Sequence, residues 1–412
     1  MAEALRPEVA VIGGGPAGLM AAEVLSAGGA RVTVYERMPS VGRKFLMAGR
    51  GGLNLTHSEP FEPFLARYGA RADTLRPVLE AFPPAALVAW AEGLGQPTFV
   101  GSSGRVFPRA MKASPLLRAW LARLEAQGVR VVARRRWTGW DGPRLVFHDE
   151  QGREEHAEPA ATILALGGAS WARLGSDGAW AAPLAGRGAA VAPFQPANCG
   201  FNVAWSKHFR SRFAGAPLKN VALRFDGRSV RGEAVVTSYG LEGGAVYALA
   251  APLRDAVLAT GEARLDLDLR PDLDEARLAE RVASTGRGQS MASVLRKAAG
   301  LSPVAANLLR EAHGLQLPSN PAELAHRIKR APIVLTGVQP LDRAISTAGG
   351  LAFEAVDADL LLRELPGVYA AGEMLDWEAP TGGYLLQASF ATGAWAAQAA
   401  LRRLGLAGAS RT

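Results

Sequence analysis

Within residues 9–36 an apolar strand, a glycine turn, a helical stretch and a second strand follow one another, and no other stretch restricts the fold as strongly. Residues 9–12 run into Gly13-Gly14-Gly15-Pro16-Ala17-Gly18, and Arg31-Val32-Thr33-Val34-Tyr35-Glu36 reads as the second strand. In Gly13-x-Gly15-x-x-Gly18 the first glycine makes a tight turn, the second lets backbone N–H groups approach a pyrophosphate, and the third lets the helix lie close on the strand. Pro16 and Ala17 open that helix, so the positive end of its dipole faces the same place. Glu36, followed by Arg37, stands where an acid accepts hydrogen bonds from ribose hydroxyls, which favours an unphosphorylated ribose. A glycine turn alone can serve packing; the strand before it, the helix after it and the acid at this distance point to a dinucleotide.

Residues 41–57 follow, with four glycines and four basic or imidazole side chains and neither a helical nor a strand period. They read as a working loop, because such a segment is costly to order and its cations need anionic partners. Arg43, Lys44 and Arg50 would face pyrophosphate oxygens or the electron-rich pyrimidine side of a reduced flavin. Arg43 and Arg50 also crowd Lys44 with like charge unless an anion intervenes.

Further on, residues 61–95 show helical spacing with proline-rich breaks. Ser114 and Pro115 open a helix whose apolar face is Leu116, Leu117, Trp120, Leu121 and Leu124, ended by Gly128. Residues 129–133 form a strand whose backbone, at Val132, can bracket an adenine ring. Residues 144–159 read as a hairpin around Gln151-Gly152. Residues 162–166 make a buried strand ending in Gly167-Gly168, so at Ala165 and beyond the backbone can again approach the cofactor.

From about residue 191 the texture changes. Residues 221–225, an Asp226-Gly227 turn, residues 228–237 and the alternating residues 264–269 read as antiparallel strands. Helices with caps or amphipathic spacing follow at 272–284, 290–299, 302–312 and 320–330. A buried strand at 368–371 then ends in Gly372-Glu373. Thr381-Gly382-Gly383-Tyr384-Leu385-Leu386-Gln387 follows, and an alanine-rich helix runs to about residue 403. Gly372 permits close backbone approach, Glu373 can accept a hydrogen bond from a ribityl chain or the phosphate side, and Gly382-Gly383 presents N–H groups at a helix start.

Composition bounds the setting. The chain has 412 residues, 49% of them apolar, enough for two or three domains with an ample core. The single Cys199 excludes an intramolecular disulfide and a CxxC pair, so redox chemistry must reside in a cofactor, and a reducing cytoplasm fits. The first strand begins by Val9, leaving no room for a signal segment, and no apolar run approaches the ~20 residues of a membrane span. The net charge of +8, with Arg134-Arg135-Arg136 in a row, invites a nucleic-acid role such as tRNA modification. The basic residues are nevertheless spread along the chain without interleaved aromatics, which disfavours it. No metal-ligand cluster, nucleophile elbow or Walker loop is present.

The residues at 42–57 resemble the bacterial flavoprotein family labelled NAD(FAD)-utilizing dehydrogenase, aminoacetone-oxidase-like or BaiN-like, matching its loop at Gly42, Arg43, Lys44, Gly49, Gly51, Asn54 and Thr56. The chain departs at Ala48, Gly52 and Leu53, where that family carries Ser, Arg and Cys. Gly104-x-Val106-Phe107-Pro108, Thr347-x-Gly349-Gly350 and the segment 372–387 extend the resemblance, with Leu385 in place of the usual Asn. Thr237-Ser238-Tyr239-Gly240-Leu241-Glu242-Gly243-Gly244 resembles the family's Thr-His-x-Gly-Leu-Ser-Gly-Pro without its His, Ser and Pro. The turn at Gly167-Gly168 is similar to that of glutathione-reductase-type flavoproteins.

The resemblance implies an α/β fold: a Rossmann-like FAD-binding domain with a parallel sheet, split into residues 1–190 and 341–412. An insertion at 191–340 interrupts it, with an antiparallel β part at about 191–270 and a helical part at about 271–335. It implies tight, non-covalent FAD and hydride transfer through flavin N5, with a small organic molecule reduced at the expense of NAD(P)H as a transient donor. An amine or ketone oxidase using O2 is the alternative. Gly51, Asn54, Thr56 and Gln387 join the expected cofactor contacts. Lys44 and Tyr384 are the candidate catalytic residues, the phenol as a proton relay; His57 and Glu378 are weaker candidates. The oligomeric state is not legible.

Overall fold

The computed structural model describes residues 6–48, 51–285 and 288–406. The chain divides into two compact units: residues up to 195 together with those from 346 on, and residues 196–345. Both crossings fall five residues later than the boundaries read from the sequence.

The first unit is built on a five-stranded parallel sheet in the order Val368–Ala370, Ala161–Leu164, Glu8–Ile12, Arg31–Glu36, Arg130–Ala133. Every residue of Ala161–Leu164 is buried, as a central strand covered on both faces requires. The helix Pro16–Ala27 packs against the helix Tyr384–Arg403. Alanine and glycine make that approach possible: a Cβ on Gly393 would sit 2.2 Å from the Ala17 carbonyl oxygen. Leu19, Leu25 and Phe390 are fully buried there, each contributing about 1.5–3 kcal/mol. A three-stranded antiparallel meander, Arg136–Asp141, Arg144–His148 and Glu154–Ala157, follows the edge strand directly.

The second unit holds a seven-stranded sheet whose pairs are antiparallel, with its own core around Leu223, Leu253, Leu265 and Leu308. Ala331–Leu335 and Gly337–Val338 return from the helical stretch to opposite edges of this sheet, so its last residues are strand.

Two local expectations change. The helix Ala113–Ala126 begins one residue before Ser114, with Lys112 at the N-cap and no side-chain cap bond. Burial of Ala113 draws the first turn forward, and Pro115 still falls where a missing N–H is harmless. The segment read as an aperiodic loop contains a short helix, Arg43–Met47. Tertiary packing makes it: Gly42 is left-handed (φ 69°), its N–H donates to the Gly14 carbonyl at 2.8 Å, and Phe45 is 2% exposed. No helix among the described residues is long and apolar enough to cross a membrane.

Candidate functional site

The strand ends of the parallel sheet open onto a cleft of about 1010 Å3 including its mouth. Gly13 has φ 105°, and a Cβ there would lie 2.2 Å from the Ala165 carbonyl oxygen; a Cβ on Gly18 would lie 1.9 Å from the Gly13 oxygen. These two glycines close the turn against the neighbouring strand and under the helix. Gly15 differs: it lines the cleft, and nothing lies within 4 Å of where its Cβ would be. Its backbone faces open space beside the start of the helix Pro16–Ala27.

Glu36 lines the same cleft and accepts hydrogen bonds from the Gly14 N–H and the Met38 N–H, both at 2.8 Å. Burial raises its carboxyl above the ordinary range, against the pull of those two amides. Each carboxylate oxygen accepts one of these bonds, leaving each with capacity for a second donor. Arg37 pairs with Asp177 across the cleft wall.

At the far end Lys44 Nζ donates to Glu373 Oε2 at 2.8 Å, to Glu373 Oε1 at 3.1 Å and to Ser170 Oγ at 2.9 Å. Glu373 also accepts the Thr347 N–H at 3.1 Å, and Thr347 Oγ1 accepts the Ala169 N–H at 2.8 Å. The anion that the crowded Lys44 requires is thus Glu373, and the pair ties the short helix, the Gly167-Gly168 turn and the strand Ser346–Leu351 together. Gly372 has φ 82°, and its Cβ would meet that of Ala17 at 2.7 Å.

Gly13, Gly15, Pro16, Ala17, Glu36, Arg37, Arg43, Lys44, Ala165, Gly167, Gly372 and Glu373 all line this cleft. Val132 lines an adjoining crevice with Tyr35, Arg135 and Phe147. Gly51, Asn54, Thr56, Gly168, Gly382, Gly383, Tyr384 and Gln387 do not line it. Gly383 packs on Thr56, whose Cα would be 2.5 Å from an added Cβ. Arg50 lies outside the described residues.

Tyr384 is 4% exposed and packs on Phe64, with Tyr68 edge-on. Its hydroxyl donates to Glu59, which also pairs with Arg67 through Nη2 at 2.7 Å. Burial and the Glu59 carboxylate push the phenol well above its ordinary value. The N–H of Glu59 donates to His57 Nδ1 at 3.1 Å, and His57 Nε2 meets the Ser103 carbonyl at 3.0 Å, so both ring nitrogens have a partner. Glu378 is half-buried beside Trp377.

Glu59 is itself held below the usual carboxylate range: burial pushes it up, but the hydrogen bonds from Arg67 and Tyr384 outweigh that. The folded carboxyl is therefore the stronger acid. Its contribution to stability is complete above the ordinary value of 4.5 and is lost as pH falls through the lower folded value. Melting temperatures measured between about pH 3 and pH 7 should show Glu59→Gln less stable near neutrality and with a shallower acid decline than the wild type. Parallel curves would remove Glu59 from this role.

Residues that the sequence did not single out also line the cleft, among them Trp137, Ser176, Asp177 and Ser389. Of the three consecutive arginines, Arg134 pairs with Glu150 and Arg135 with Glu155, and Arg136 lines the cleft. In the second unit the 237–244 motif forms a tight turn, with the Gly240 N–H on Thr237 Oγ1 at 2.9 Å, and the Tyr239 hydroxyl donates to Glu242. No group of three or more His, Cys, Asp or Glu among the described residues could hold a metal ion.

A parallel sheet, a glycine turn open at Gly15 and an acid at the end of the second strand define a Rossmann-type dinucleotide site, and the family match makes it that of an FAD-dependent oxidoreductase. The chain belongs to the HI0933-like family, whose Rossmann-domain model matches residues 7–399. It is 27% identical over 417 residues to a 3-dehydro-bile acid Δ(4,6)-reductase of Clostridium scindens, covering 96% of this chain and 99% of that protein. Its fold is similar to that of a flavocytochrome c3 fumarate reductase in an open conformation, with a TM-score of 0.54 and 17% identity, covering 97% of this chain and 79% of that one. It is also similar to 3-ketosteroid Δ1-dehydrogenase from Sterolibacterium denitrificans, with a TM-score of 0.54 and 12% identity over 97% and 100% of the two chains.

Proposed function

We propose that this protein reduces a small organic substrate through tightly bound FAD, with NAD(P)H as the electron donor. One observation carries the reading. Five buried side-chain polar atoms have no partner among the described residues: Arg43 Nε, Asn54 Oδ1, Thr56 Oγ1, Trp137 Nε1 and Gln387 Oε1. Buried polar atoms are rarely left orphaned in a complete structure. Arg43 and Trp137 line the cleft, and Asn54, Thr56 and Gln387, which stand outside it, belong to residues expected to contact the cofactor. Donors and acceptors are both represented, which suits a ligand that carries phosphates and a ring imide.

FAD, when bound, supplies two-electron hydride chemistry through its isoalloxazine ring. The chain's part is to bind and orient. Gly15 and Ala17 offer backbone N–H groups to the pyrophosphate, and the helix that Pro16 opens offers its positive dipole end, with Arg43 as a nearby cation. Glu36 accepts from ribose hydroxyls with its remaining lone pairs. Gly167 and Gly372, which carry no Cβ, let two further strand ends approach the ligand. Lys44 is held by Glu373 and Ser170, so it acts as one half of a compensated pair at the cleft wall. Tyr384 lies outside the cleft with its hydroxyl donated to the Glu59 carboxylate, and no proton-relay role is assigned to it.

The relative named for a Δ(4,6)-reduction makes conjugated ketones the first substrates to try. Purified protein should carry a flavin spectrum, and anaerobic mixing with NADH or NADPH should bleach it, with the colour restored by an enone. Protein with no flavin would end the flavin reading. Bleaching by amines but by neither nicotinamide would replace the reductase with an oxidase.

A further inference from the structure

The turn between the strand Arg105–Pro108 and the helix Ala113–Ala126 carries a side chain that the packing around it does not explain. Met111 is 36% exposed and held in a left-handed conformation (φ 59°), which a methionine rarely adopts. Its side chain lies over Gly52, where an added Cβ would stand 2.4 Å from Met111 Cε, and beside Phe107, whose ring stacks on that of Phe99. The short helix Arg43–Met47 packs against the same helix Ala113–Ala126, and the Leu53 N–H donates to the Met111 carbonyl at 2.8 Å, so these segments form one tied surface of the first unit. Internal packing takes up Phe45 and Leu117 and leaves Leu46 and Met47 outward, 45% and 40% exposed. Three large apolar side chains thus meet solvent on neighbouring elements, where polar ones would be expected.

The charge around them is of one sign. Residues 37–58 and 93–124 hold none of the chain's 38 aspartates and glutamates. Arg109 and Lys112 flank Met111, and Arg118 follows on the helix; all three are exposed, and none pairs with a described carboxylate within 4 Å. Exposed arginines elsewhere in this unit do find one, among them Arg67, Arg134, Arg144 and Arg153. An apolar patch beside unpaired cations selects among partners. A second copy related by a two-fold axis would set the same cations against one another. A nucleic acid would neutralise them, but such surfaces hold bases on aromatic side chains, and the exposed residues here are leucine and methionine. Anionic lipid meets both features at once, with headgroup phosphates for the cations and the acyl boundary for the apolar tips, and a surface contact needs no spanning helix.

We infer that the face formed by the helix Arg43–Met47 and residues 108–112 docks on an anionic membrane surface. Leu46, Met47 and Met111 enter the acyl boundary, and Arg109, Lys112 and Arg118 meet headgroup phosphates. The inference is independent of the flavin reading above.

The test sediments the full chain with vesicles of phosphatidylcholine alone and of phosphatidylcholine with about one-third phosphatidylglycerol. The wild type should pellet with the second and stay in solution with the first, and raising the salt from about 50 mM to about 500 mM should release much of it. Arg109→Gln combined with Lys112→Gln should weaken binding about 10- to 30-fold. Leu46→Gln combined with Met47→Gln should weaken it about tenfold at low and high salt alike. All four positions are exposed, so both double variants should melt with the wild type. Met111→Gly, which suits the left-handed backbone, gives the same apolar loss if the helix substitutions lower the melt. Absence of pelleting with the anionic vesicles would overturn the inference, as would equal pelleting with both compositions or wild-type affinity in both double variants. Protein that ignores these vesicles but is retained on single-stranded RNA would assign the cations to nucleic acid and overturn it. So would a dimer, seen by light scattering, that Leu46→Gln with Met47→Gln dissociates, since the patch would then belong to a second copy.

Discussion

Gly13→Ala is expected to give a protein that carries no flavin and melts far below the wild type, whereas Gly15→Ala should lose flavin and melt almost normally. The two glycines are two residues apart in the same turn, but their surroundings are opposite. At Gly13 the backbone is left-handed and an added Cβ would stand 2.2 Å from the carbonyl oxygen of Ala165, the residue directly after the adjacent strand. That oxygen cannot yield without moving a strand whose four residues are all buried. Backbone strain and the displaced strand together should cost about 3–5 kcal/mol. At Gly15 φ is −85°, which alanine adopts freely, and no protein atom lies within 4 Å of the new methyl group. The methyl would instead occupy the space that the proposed pyrophosphate needs. Thermal melts and the ratio of flavin to protein absorbance separate the two effects. A Gly15→Ala protein with full flavin would show that the open turn is not the cradle.

The second large effect is expected at Glu373. Its side chain is 14% exposed and that of Lys44 29%, so truncation to alanine leaves an ammonium largely out of water with only Ser170 as partner. The Thr347 N–H loses its acceptor in the same step. Urea unfolding should show Glu373→Ala less stable by about 2–4 kcal/mol. Lys44→Met combined with Glu373→Ala should recover part of that loss, because the uncompensated charge is gone. Equal losses in the single and double variants would mean that the pair contributes nothing beyond packing.

The order of these positions explains what could be read from the residues alone. The glycine turn, the second strand and Glu36 are legible because each obeys a local rule: a period of two, a backbone conformation that only glycine tolerates, a fixed spacing to an acid. The strand at 161–164 and the helix after Gly383 are legible for the same reason. The pairings that complete the cleft span 140 residues from Arg37 to Asp177 and 329 from Lys44 to Glu373, and no local pattern connects such partners. Trp137 was hidden differently. It sits on the edge of a meander whose first strand, Arg136–Asp141, runs Trp137-Thr138-Gly139-Trp140 with a bulge between Trp137 and Gly139, so its alternation is broken. Tyr384 shows the reverse: its place after two glycines is legible, but the direction of its hydroxyl, toward Glu59, depends on a loop far upstream. The short helix at Arg43–Met47 escaped because one buried phenylalanine, and not a repeat, holds it.

Ala17, at the start of the first helix, is touched at close quarters by Gly372 and Gly393, residues that the ribosome delivers hundreds of positions later. A nascent chain that has displayed its glycine turn must wait for the roughly 150-residue second unit to be made before the partners of that turn exist. At about 5–20 residues per second, synthesis of that unit alone occupies about 8–30 s. During this interval the strand Ala161–Leu164 has an open flank where Val368–Ala370 will pair. The second unit has its own core and can fold in the meantime, so the part of the protein that begins first is the part that finishes last.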